Sequence, residues 1–511
     1  MTDKSTVSLR ERVKQPPAQA LVNAYYAPAI SNGVKYVFPH EMRVHLAHAL
    51  MLADRNIVDR DDIAAILAEL LRLNDEGPAT LQVDYLQEDL YSYVESHLIR
   101  RLGPDVGGRL HTGRSRNDLN VTSWRLALRG KVLDVLEGLA ALRGTVLRLA
   151  RDHRELVMPG YTHSQHAQPI SLGYYLLAFA DVLARDFRRL AGALDHVDRS
   201  PLGAGALNTT AFPIDRHATA ASLGFPGLVE VAYDAVSSRD DAHEVAAALA
   251  ILMTGLSRLA TDLQNWNTAE YGFIELADEF SSVSSIMPQK KNPQGLEYAK
   301  AAAAHVTGAL ATVLACSKNT SYSDVNDGVT ALNVPVLDAV ERTRHCLTVI
   351  EGILATLNVR PEAMRTAAAV GFGTATELTD AIVRASGLSF RKAHNIVGRV
   401  VRETIEAGRI ATDISPEDIA RAARGLFNLE LQLAPEVVAN ALDPDKNVRT
   451  RTLTGGPAPE TVFAMVERRV AAMNEDSGSV SAIRRRIAEA DAALMERSRS
   501  FTRICDRPAG R

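Results

Sequence analysis

Apolar residues recur at helical spacing along most of the chain. Two stripes lie between residues 39 and 73, and longer amphipathic helices are predicted at 120–151, 172–197, 234–267, 295–317 and 330–357. Several of these approach roughly thirty residues, whereas helices in globular proteins average about 11–12. Long helices packed side by side predict an all-α fold with an elongated central bundle.

Prolines and glycines divide this helical pattern. The first thirty residues contain Pro16-Pro17 and little periodicity, which predicts an arm that wraps or hangs loose. A stop follows at 74–78, and beyond residue 361 the periodic segments shorten. We therefore predict three domains: a helical domain at 1–110, the long-helix bundle at 111–360 and a C-terminal helical domain at 361–511.

The composition is that of a globular protein without a nucleic-acid partner. The 511 residues are 46% hydrophobic and only 5% aromatic. The net charge is −4 and there is no basic stripe, so a nucleic-acid partner is not expected. The three cysteines are scattered and show no metal-ligand spacing, which favours free thiols in a reducing compartment. No uninterrupted apolar run approaches the roughly 18 residues of a membrane span, and the start lacks an apolar targeting segment. A cytoplasmic protein without a membrane partner is expected.

The segment at 281–293, called the signature loop below, has the highest concentration of side chains that could bind or react with a substrate. It holds a serine cluster, two adjacent lysines and two X-Pro steps, and the residue before each proline is disfavoured in a helix. An irregular loop is predicted, with a helix starting just after Pro293. Hydroxyls beside lysines suit an anion site that contains a nucleophile or base, although composition alone also fits a polar surface loop.

Two further polar segments precede predicted long helices. The first is His111-Thr112-Gly113-Arg114-Ser115-Arg116-Asn117-Asp118, in which Arg116 can bind a carboxylate bidentately while Ser115 and Asn117 add neutral donors. The second is a loop at 161–169 that carries His163 and His166. Taken alone, the first also fits a polar helix cap and the histidines also fit structural roles.

The residue sequences of these segments resemble the motifs of a known family. Ser284-Ser285-Ile286-Met287-Pro288-x-Lys290-x-Asn292-Pro293 resembles the signature of the fumarase/aspartase superfamily, and Gln289-Lys290-Lys291-Asn292-Pro293 resembles its argininosuccinate lyase branch. The octet at 111–118 and the segment at 161–169 resemble that branch's other two motifs. The resemblance spans about residues 35–475. It implies a three-domain, all-α homotetramer that eliminates fumarate from an N-substituted aspartate.

Roles for individual residues follow from the resemblance. Ser284 would be the base, Lys290 would stabilise the aci-carboxylate dianion, and Glu297 would orient His163 at the leaving nitrogen. The implied substrate-binding residues are Ser115, Arg116, Asn117, Thr162, Gln165, Ser285, Met287 and Asn292. No metal and no organic cofactor is expected, and three subunits would share each site.

Some positions depart from the family pattern. Val283 replaces a glycine, so the signature loop either avoids positive φ there or moves less freely. The stretch that holds the amine half in argininosuccinate lyases corresponds to 321–329, where Val329 replaces a lysine and Asn326 a glutamine. A lyase for an aminocarboxylic acid such as ethylenediamine-N,N′-disuccinate (EDDS) is therefore expected. The alternatives are argininosuccinate lyase itself, a sister enzyme such as adenylosuccinate lyase, aspartase or fumarase, or a non-catalytic, crystallin-like structural relative.

Overall fold

A computed structural model describes residues 12–13 and 15–505. The α-helices are α1 Gln19–Leu21, α2 Ala27–Asn32, α3 Phe38–Asp54, α4 Arg60–Glu76, α5 Leu90–Leu102, α6 Pro104–Gly107, α7 Arg116–Asp152, α8 Leu172–Val197, α9 Arg216–Ser222, α10 Ala232–Ser237, α11 Asp240–Trp266, α12 Gln294–Lys318, α13 Asn333–Ala355, α14 Pro361–Val370, α15 Ala375–Ser386, α16 Phe390–Glu406, α17 Pro416–Phe427, α18 Pro435–Leu442, α19 Pro444–Arg449 and α20 Pro459–Cys505. The predicted all-α class is confirmed.

Shorter elements connect these helices. The π-helical turns are Val22–Tyr26, Gly33–Val37 and Asn326–Thr330, and the 3₁₀ turns are Pro78–Leu81, Gly108–His111, Asp278–Phe280, Phe372–Thr374 and Ala411–Asp413. Three antiparallel pairs of strands join β1 Val157–Thr162 to β2 Gln165–Ser171, β3 Ile274–Glu275 to β6 Asn358–Val359, and β4 Ser282–Val283 to β5 Lys291–Asn292.

The central bundle consists of α7, α8, α11, α12, α13 and the first part of α20. Helix α8 runs antiparallel to α7. This direction is shown by a hydrogen bond from Arg125, near the start of α7, to the carbonyl of His196, near the end of α8. Helix α13 runs parallel to α7, as the Lys131–Glu341 contact and the 2.7 Å Thr145–Glu351 hydrogen bond show. We call the two ends of the bundle the Arg116 end and the His163 end, after the residues at the start of α7 and beyond its C-terminus.

Three large hydrophobic clusters occupy the described chain. One fills the bundle, one lies among α3, α4 and α5, and one lies among α15 to α18. The three-domain division at residues 110 and 360 stays a prediction. Helix α20 contacts both the bundle and the N-terminal cluster, since Arg484 pairs with Asp134 and Arg497 pairs with Asp54.

Most predicted long helices lie within a few residues of their observed bounds, and α8 matches its prediction. The continuous helix predicted at 234–267 is wrong: Ser238 is extended and separates α10 from α11. Buried Arg239 explains the break, since its guanidinium donates to the carbonyl of Val329 and to Asn333. The predicted N-terminal arm is helical from residue 19 onward, and Val22 and Ile30 within it are buried, which fits an arm that wraps on the protein rather than one that hangs loose.

Two helices, α11 and α12, are long and apolar enough to cross a membrane by length and composition alone. The apolar window of α11 is 56% buried inside the bundle, as expected of a core helix, whereas that of α12 is only 28% buried. Helix α12 therefore presents an apolar face that the described part of the chain does not cover.

Candidate active site

The octet at 111–118 forms the N-terminus of α7. The side chain of Ser115 accepts the backbone N–H of Asn117 at 3.3 Å, and Asp118 accepts the backbone N–H of Ser115 at 2.9 Å. These bonds complete a capping box, so Arg116 and Asn117 are the first residues of the helix. The partial positive charge of a helix N-terminus adds to the guanidinium, which makes this an anion-binding position.

Hydrogen bonds of Asp118 connect the octet to a second segment, at residues 203–205. Its carboxylate accepts the backbone N–H groups of Gly203 and Gly205 at 2.8 and 3.0 Å. Both glycines have positive φ, and a Cβ at Gly203 would collide with Arg216. The lack of a side chain at these two glycines allows the backbone to approach Asp118 closely. Burial raises the pKa of Asp118 to about 6, although the three backbone N–H groups favour its charged form.

Arg116 lines a cavity of about 340 Å³, called the Arg116 cavity. Its Nη1 donates to Glu88 at 2.7 Å. Asn117, Asp324 and Asn326 line the same cavity, so the octet and the 321–329 stretch share one space. Among the lining residues in the described chain Arg116 is the only cation, and the carboxyl groups are Glu41, Glu88, Asp89 and Asp324. Burial raises the pKa of Asp324.

His163 occupies the turn of a β-hairpin, where a polar loop was predicted. Strands β1 and β2 pair Thr162 with Gln165, which leaves His163 and Ser164 as the two turn residues, both at positive φ. Positive φ at both positions matches a type I′ turn, in which Asn or Gly is favoured, so this turn is held at a cost of about 1–3 kcal/mol. The hairpin presents Thr162, His163 and Gln165 to solvent.

The signature loop is a narrow projection closed by β4 and β5. Inside it, Ser284 Oγ accepts the backbone N–H groups of Ile286 and Met287, at 3.3 and 3.0 Å. Two amide donors aimed at one oxygen favour the alkoxide form that a serine base requires. Val283 is extended in β4 and 86% exposed, so the loop avoids the positive φ that a valine tolerates badly. Ser285 and Met287 are exposed near the tip.

The structure distinguishes the two adjacent lysines. Lys291 pairs with Asp278 at 2.6 Å and with Glu275 at 3.4 Å, which ties the base of the loop to the preceding segment. Within the described residues Lys290 has no ion pair, and its side chain is exposed. Asn292 donates to Ser282 across the hairpin at 3.4 Å. Of the two cations, Lys290 is therefore the one available to a ligand.

One chain does not assemble these residues into a single site. Arg116 begins α7 and His163 lies beyond its end, and the 37 residues of α7 span about 55 Å at 1.5 Å per residue. The signature loop lies at the His163 end, where Tyr271 packs 5.8 Å from Tyr161. Glu297, in the first turn of α12, is exposed, and no hydrogen bond or ion pair among the described residues joins it to His163. The predicted residues thus lie in two groups, called half-sites, at opposite ends of the bundle, and no hydrogen bond or ion pair among the described residues joins His163 to the signature loop.

Sequence reasoning did not select the acidic lining of the Arg116 cavity. Glu41 lies in α3 among buried apolar residues and is 1% exposed. A glutamate inside an apolar helical stripe is the signal that could have identified it, because carboxyl groups are rarely fully buried. Glu88 and Asp89 are adjacent to each other, but only the fold brings them to Arg116. In the described chain no cluster of His, Cys, Asp and Glu has the arrangement of a metal site.

The fold is that of a lyase family. The family model described as "Lyase" matches residues 23–308, and the model described as "Argininosuccinate lyase C-terminal" matches 372–449. The chain is 38% identical to the argininosuccinate lyase of Methanosarcina acetivorans, covering 96% of this chain and 98% of that protein. It is 36% identical to argininosuccinate lyase 1 of Shouchella clausii, covering 94% and 96%.

A solved structure extends the comparison. An EDDS lyase variant with bound fumarate superposes with a TM-score of 0.86 at 33% identity, covering 97% of this chain and 98% of that one. The chain belongs to the argininosuccinate lyase branch of the fumarase/aspartase superfamily and resembles EDDS lyase within it. It is a fumarate-forming carbon–nitrogen lyase.

Proposed function

We propose that the enzyme catalyses reversible anti β-elimination of fumarate from an N-substituted L-aspartate whose nitrogen substituent carries a second amino group, as in EDDS. The observation that carries this proposal is the acidic lining of the Arg116 cavity, where one guanidinium lies beside the carboxyl groups of Glu88, Asp89 and Asp324. The fourth carboxyl group, Glu41, is mostly protonated at neutral pH because burial raises its pKa to about 8. A carboxylate of the aspartyl half binds Arg116, and a second ammonium group finds its partner in Asp324. The similarity to EDDS lyase supports the same substrate class.

The aspartyl half is bound by the residues that the sequence selected. Ser115, Arg116 and Asn117 come from one half-site, and Thr162, Gln165, Ser285, Met287 and Asn292 come from the other. Removing a proton next to a carboxylate builds a dianion, and fixed positive charge where that charge develops lowers the barrier. Lys290 supplies the charge, and the absence of an ion pair to it within the described part of the chain supports this role.

Ser284 abstracts the proton, and its two backbone amide donors support the alkoxide. The electron pair of the C–H bond is first held in the aci-carboxylate dianion and then forms the C=C bond of fumarate as the C–N bond breaks and its electron pair leaves with the nitrogen. His163, oriented by Glu297, binds or protonates the leaving nitrogen. Neither a metal nor an organic cofactor enters these steps, so EDTA is expected to leave turnover unchanged.

The amine side of the cavity argues against arginine as the product. Arginine carries a distal carboxylate, and the described cavity offers it no second cation because Val329 occupies the position where a lysine was expected. Tyr322 donates to Asp234 at 2.6 Å and lies outside the Arg116 cavity. An unpaired carboxylate in a partly buried cavity is costly. EDDS also carries distal carboxylates, so this cavity by itself favours N-(2-aminoethyl)-L-aspartate, and EDDS is accepted only if residues of neighbouring subunits bind its second succinyl group.

Three substrates test the proposal: EDDS, N-(2-aminoethyl)-L-aspartate and argininosuccinate, with fumarate release followed at 240 nm. We expect kcat/KM of about 10⁴ M⁻¹s⁻¹ or more for at least one diamine substrate and at least about 100-fold less for argininosuccinate. Asp324→Asn should lower the diamine values selectively, whereas the exposed control Asp338→Asn should not. Efficient turnover of argininosuccinate alone would refute the diamine assignment.

Argininosuccinate lyase itself is the second candidate, since relatives 36–40% identical to this chain carry that name. The same substrate panel decides between the two. A chain that releases fumarate from none of the three would favour a sister activity or a non-catalytic role. The intact set of Ser284, Lys290, His163 and Glu297 supports catalysis.

A cytoplasmic homotetramer in which three subunits share each site completes the proposal. The separation of Arg116 from His163 requires that the two half-sites come from different chains. The uncovered face of α12 supports such an assembly, because it exposes small residues through which helices approach closely: Ala301, Ala304, Gly308, Ala311 and Ala315. Sedimentation equilibrium should give four times the chain mass, and a monomer would contradict the assembly.

A further inference from the structure

A second cavity, of about 540 Å³, lies in the C-terminal part of the chain among α15, α18 and α19. We call it the Asn447 cavity. Its lining is separate from that of the Arg116 cavity, and none of the residues assigned to catalysis or to substrate binding contributes to it. Ala381, Ala385, Val437 and Ala441 form the apolar part of the wall.

Asn447 is the distinctive residue of this cavity. It is 2% exposed, and neither its amide nitrogen nor its amide oxygen has a hydrogen-bond partner among the described residues. Buried polar side chains are nearly always hydrogen-bonded, because an unsatisfied buried donor or acceptor opposes folding. Asn447 therefore presents one unsatisfied donor and one unsatisfied acceptor at the wall of an open space.

The charge of this lining is opposite to that of the Arg116 cavity. Arg384, Lys446 and Arg449 are cationic and Glu377 is the acid, so three positive charges and one negative charge leave a net charge of +2. Glu377 is already held by Arg384 and Arg451. Among the described residues the Lys446 side chain donates a hydrogen bond only to the neutral Asn440, at 2.6 Å, and Arg449 pairs with Glu155 at 3.1 Å through a half-exposed side chain.

We propose that the Asn447 cavity binds a small dicarboxylate that carries an amino or hydroxyl group. Two carboxylates match the charge of +2, and Lys446 and Arg449 donate to them. The amide nitrogen of Asn447 donates to a carboxylate oxygen, while its amide oxygen accepts the ammonium or hydroxyl hydrogen of the ligand. A ligand without that hydrogen leaves the amide oxygen unsatisfied and binds more weakly.

Calorimetry on the full-length chain tests this proposal. The Arg116→Ala background weakens binding at the Arg116 cavity, so that the remaining heat reports the second site. The probes are L-malate, L-aspartate, succinate and sulfate. We expect one site per chain for L-malate or L-aspartate, and succinate binding about tenfold more weakly because it lacks the hydrogen-bond donor.

Variants of the lining identify the site. Arg449→Ala and Asn447→Leu should each weaken binding by about tenfold or more, whereas Arg402→Ala, an exposed arginine on α16 outside the cavity, should leave it unchanged. Arg449 is half exposed, so its variant folds even if Asn447→Leu does not. Binding that is insensitive to Arg449→Ala, equal affinity for sulfate and L-malate, or no binding of either dicarboxylate with a donor would each overturn the proposal. Because the readout is binding, it is independent of the substrate on which the enzyme acts.

Discussion

Asp118 accepts the backbone N–H of Gly203 at 2.8 Å, across 85 residues of sequence. The same carboxylate oxygen accepts the backbone N–H of Gly205, and the other oxygen accepts the backbone N–H of Ser115. Arg116 and Asn117 therefore owe their position to a buried acid that is not expected to touch substrate. Asp118 is a positioning residue of the candidate site.

Replacing this acid tests that role. Asp118→Asn keeps the size of the side chain but turns one acceptor into an N–H donor that faces backbone N–H groups. We expect a loss of about 1–3 kcal/mol in the free energy of unfolding and a higher KM with a smaller change in kcat. Urea unfolding and steady-state kinetics measure both. Asp61→Asn, an exposed acid in α4, is the control, and equal effects in the two variants would contradict the role.

Ser284→Ala should abolish proton abstraction and leave the fold intact. The hydroxyl lies in an exposed loop, where water replaces it for the two backbone N–H groups, so the melting temperature should barely move. Turnover should fall by about 10²–10⁴-fold or more, with substrate affinity nearly unchanged. Near-native turnover would show that another group is the base.

Replacing the two lysines of the signature loop should affect kcat and stability differently. Lys290→Ala removes the unpaired cation and should lower kcat by about 10²-fold or more. Lys291→Ala breaks exposed ion pairs at the base of the loop and should cost about 0–1 kcal/mol of stability with a smaller kinetic effect. If Lys291→Ala proved the more damaging for kcat, the assignment of Lys290 would be wrong.

Mixed tetramers test whether sites are shared. Arg116→Ala and His163→Ala damage opposite half-sites, so each homotetramer should be inactive. If different subunits supply the half-sites, co-refolded mixtures of the two variants regain some sites with both residues intact. Activity should return as a fraction of the wild-type value that depends on the mixing ratio. An inactive mixture that forms hybrid tetramers would exclude sharing between these residues.

Glu41 should make stability depend on pH. Burial, aided by the charge of Asp89, raises its pKa to about 8 against the lowering effect of Arg114. Because the pKa of Glu41 is higher in the folded state, the folded state holds the proton more tightly than the unfolded state does. The resulting stabilisation is complete below the ordinary pKa of 4.5 and is lost as the pH rises to about 8. The wild type should lose up to about 1.4 kcal/mol per pH unit over this window from Glu41 alone. Glu41→Gln should lack this component in urea unfolding between pH 5 and 8.5, and parallel wild-type and variant profiles would contradict it.

The sequence by itself determined the fold class, most long helices and the residue types of the site. Helical periodicity is local, so α8 could be placed from residues within a few turns of one another. The start of α12 after Pro293 and the position of Arg116 at a helix N-terminus likewise depend on neighbouring residues.

The tertiary structure decided the features that depend on distant partners. The hairpin of His163 escaped prediction because Pro159 faces Pro169 within its strands and its turn lacks the usual glycine or asparagine. The break before α11 depends on contacts of Arg239 with residues about 90 positions away. The acidic lining of the Arg116 cavity, the unpaired amide of Asn447 and the distance between the half-sites also appear only in the folded chain. Each results from burial or pairing between residues far apart in sequence, which no local pattern encodes.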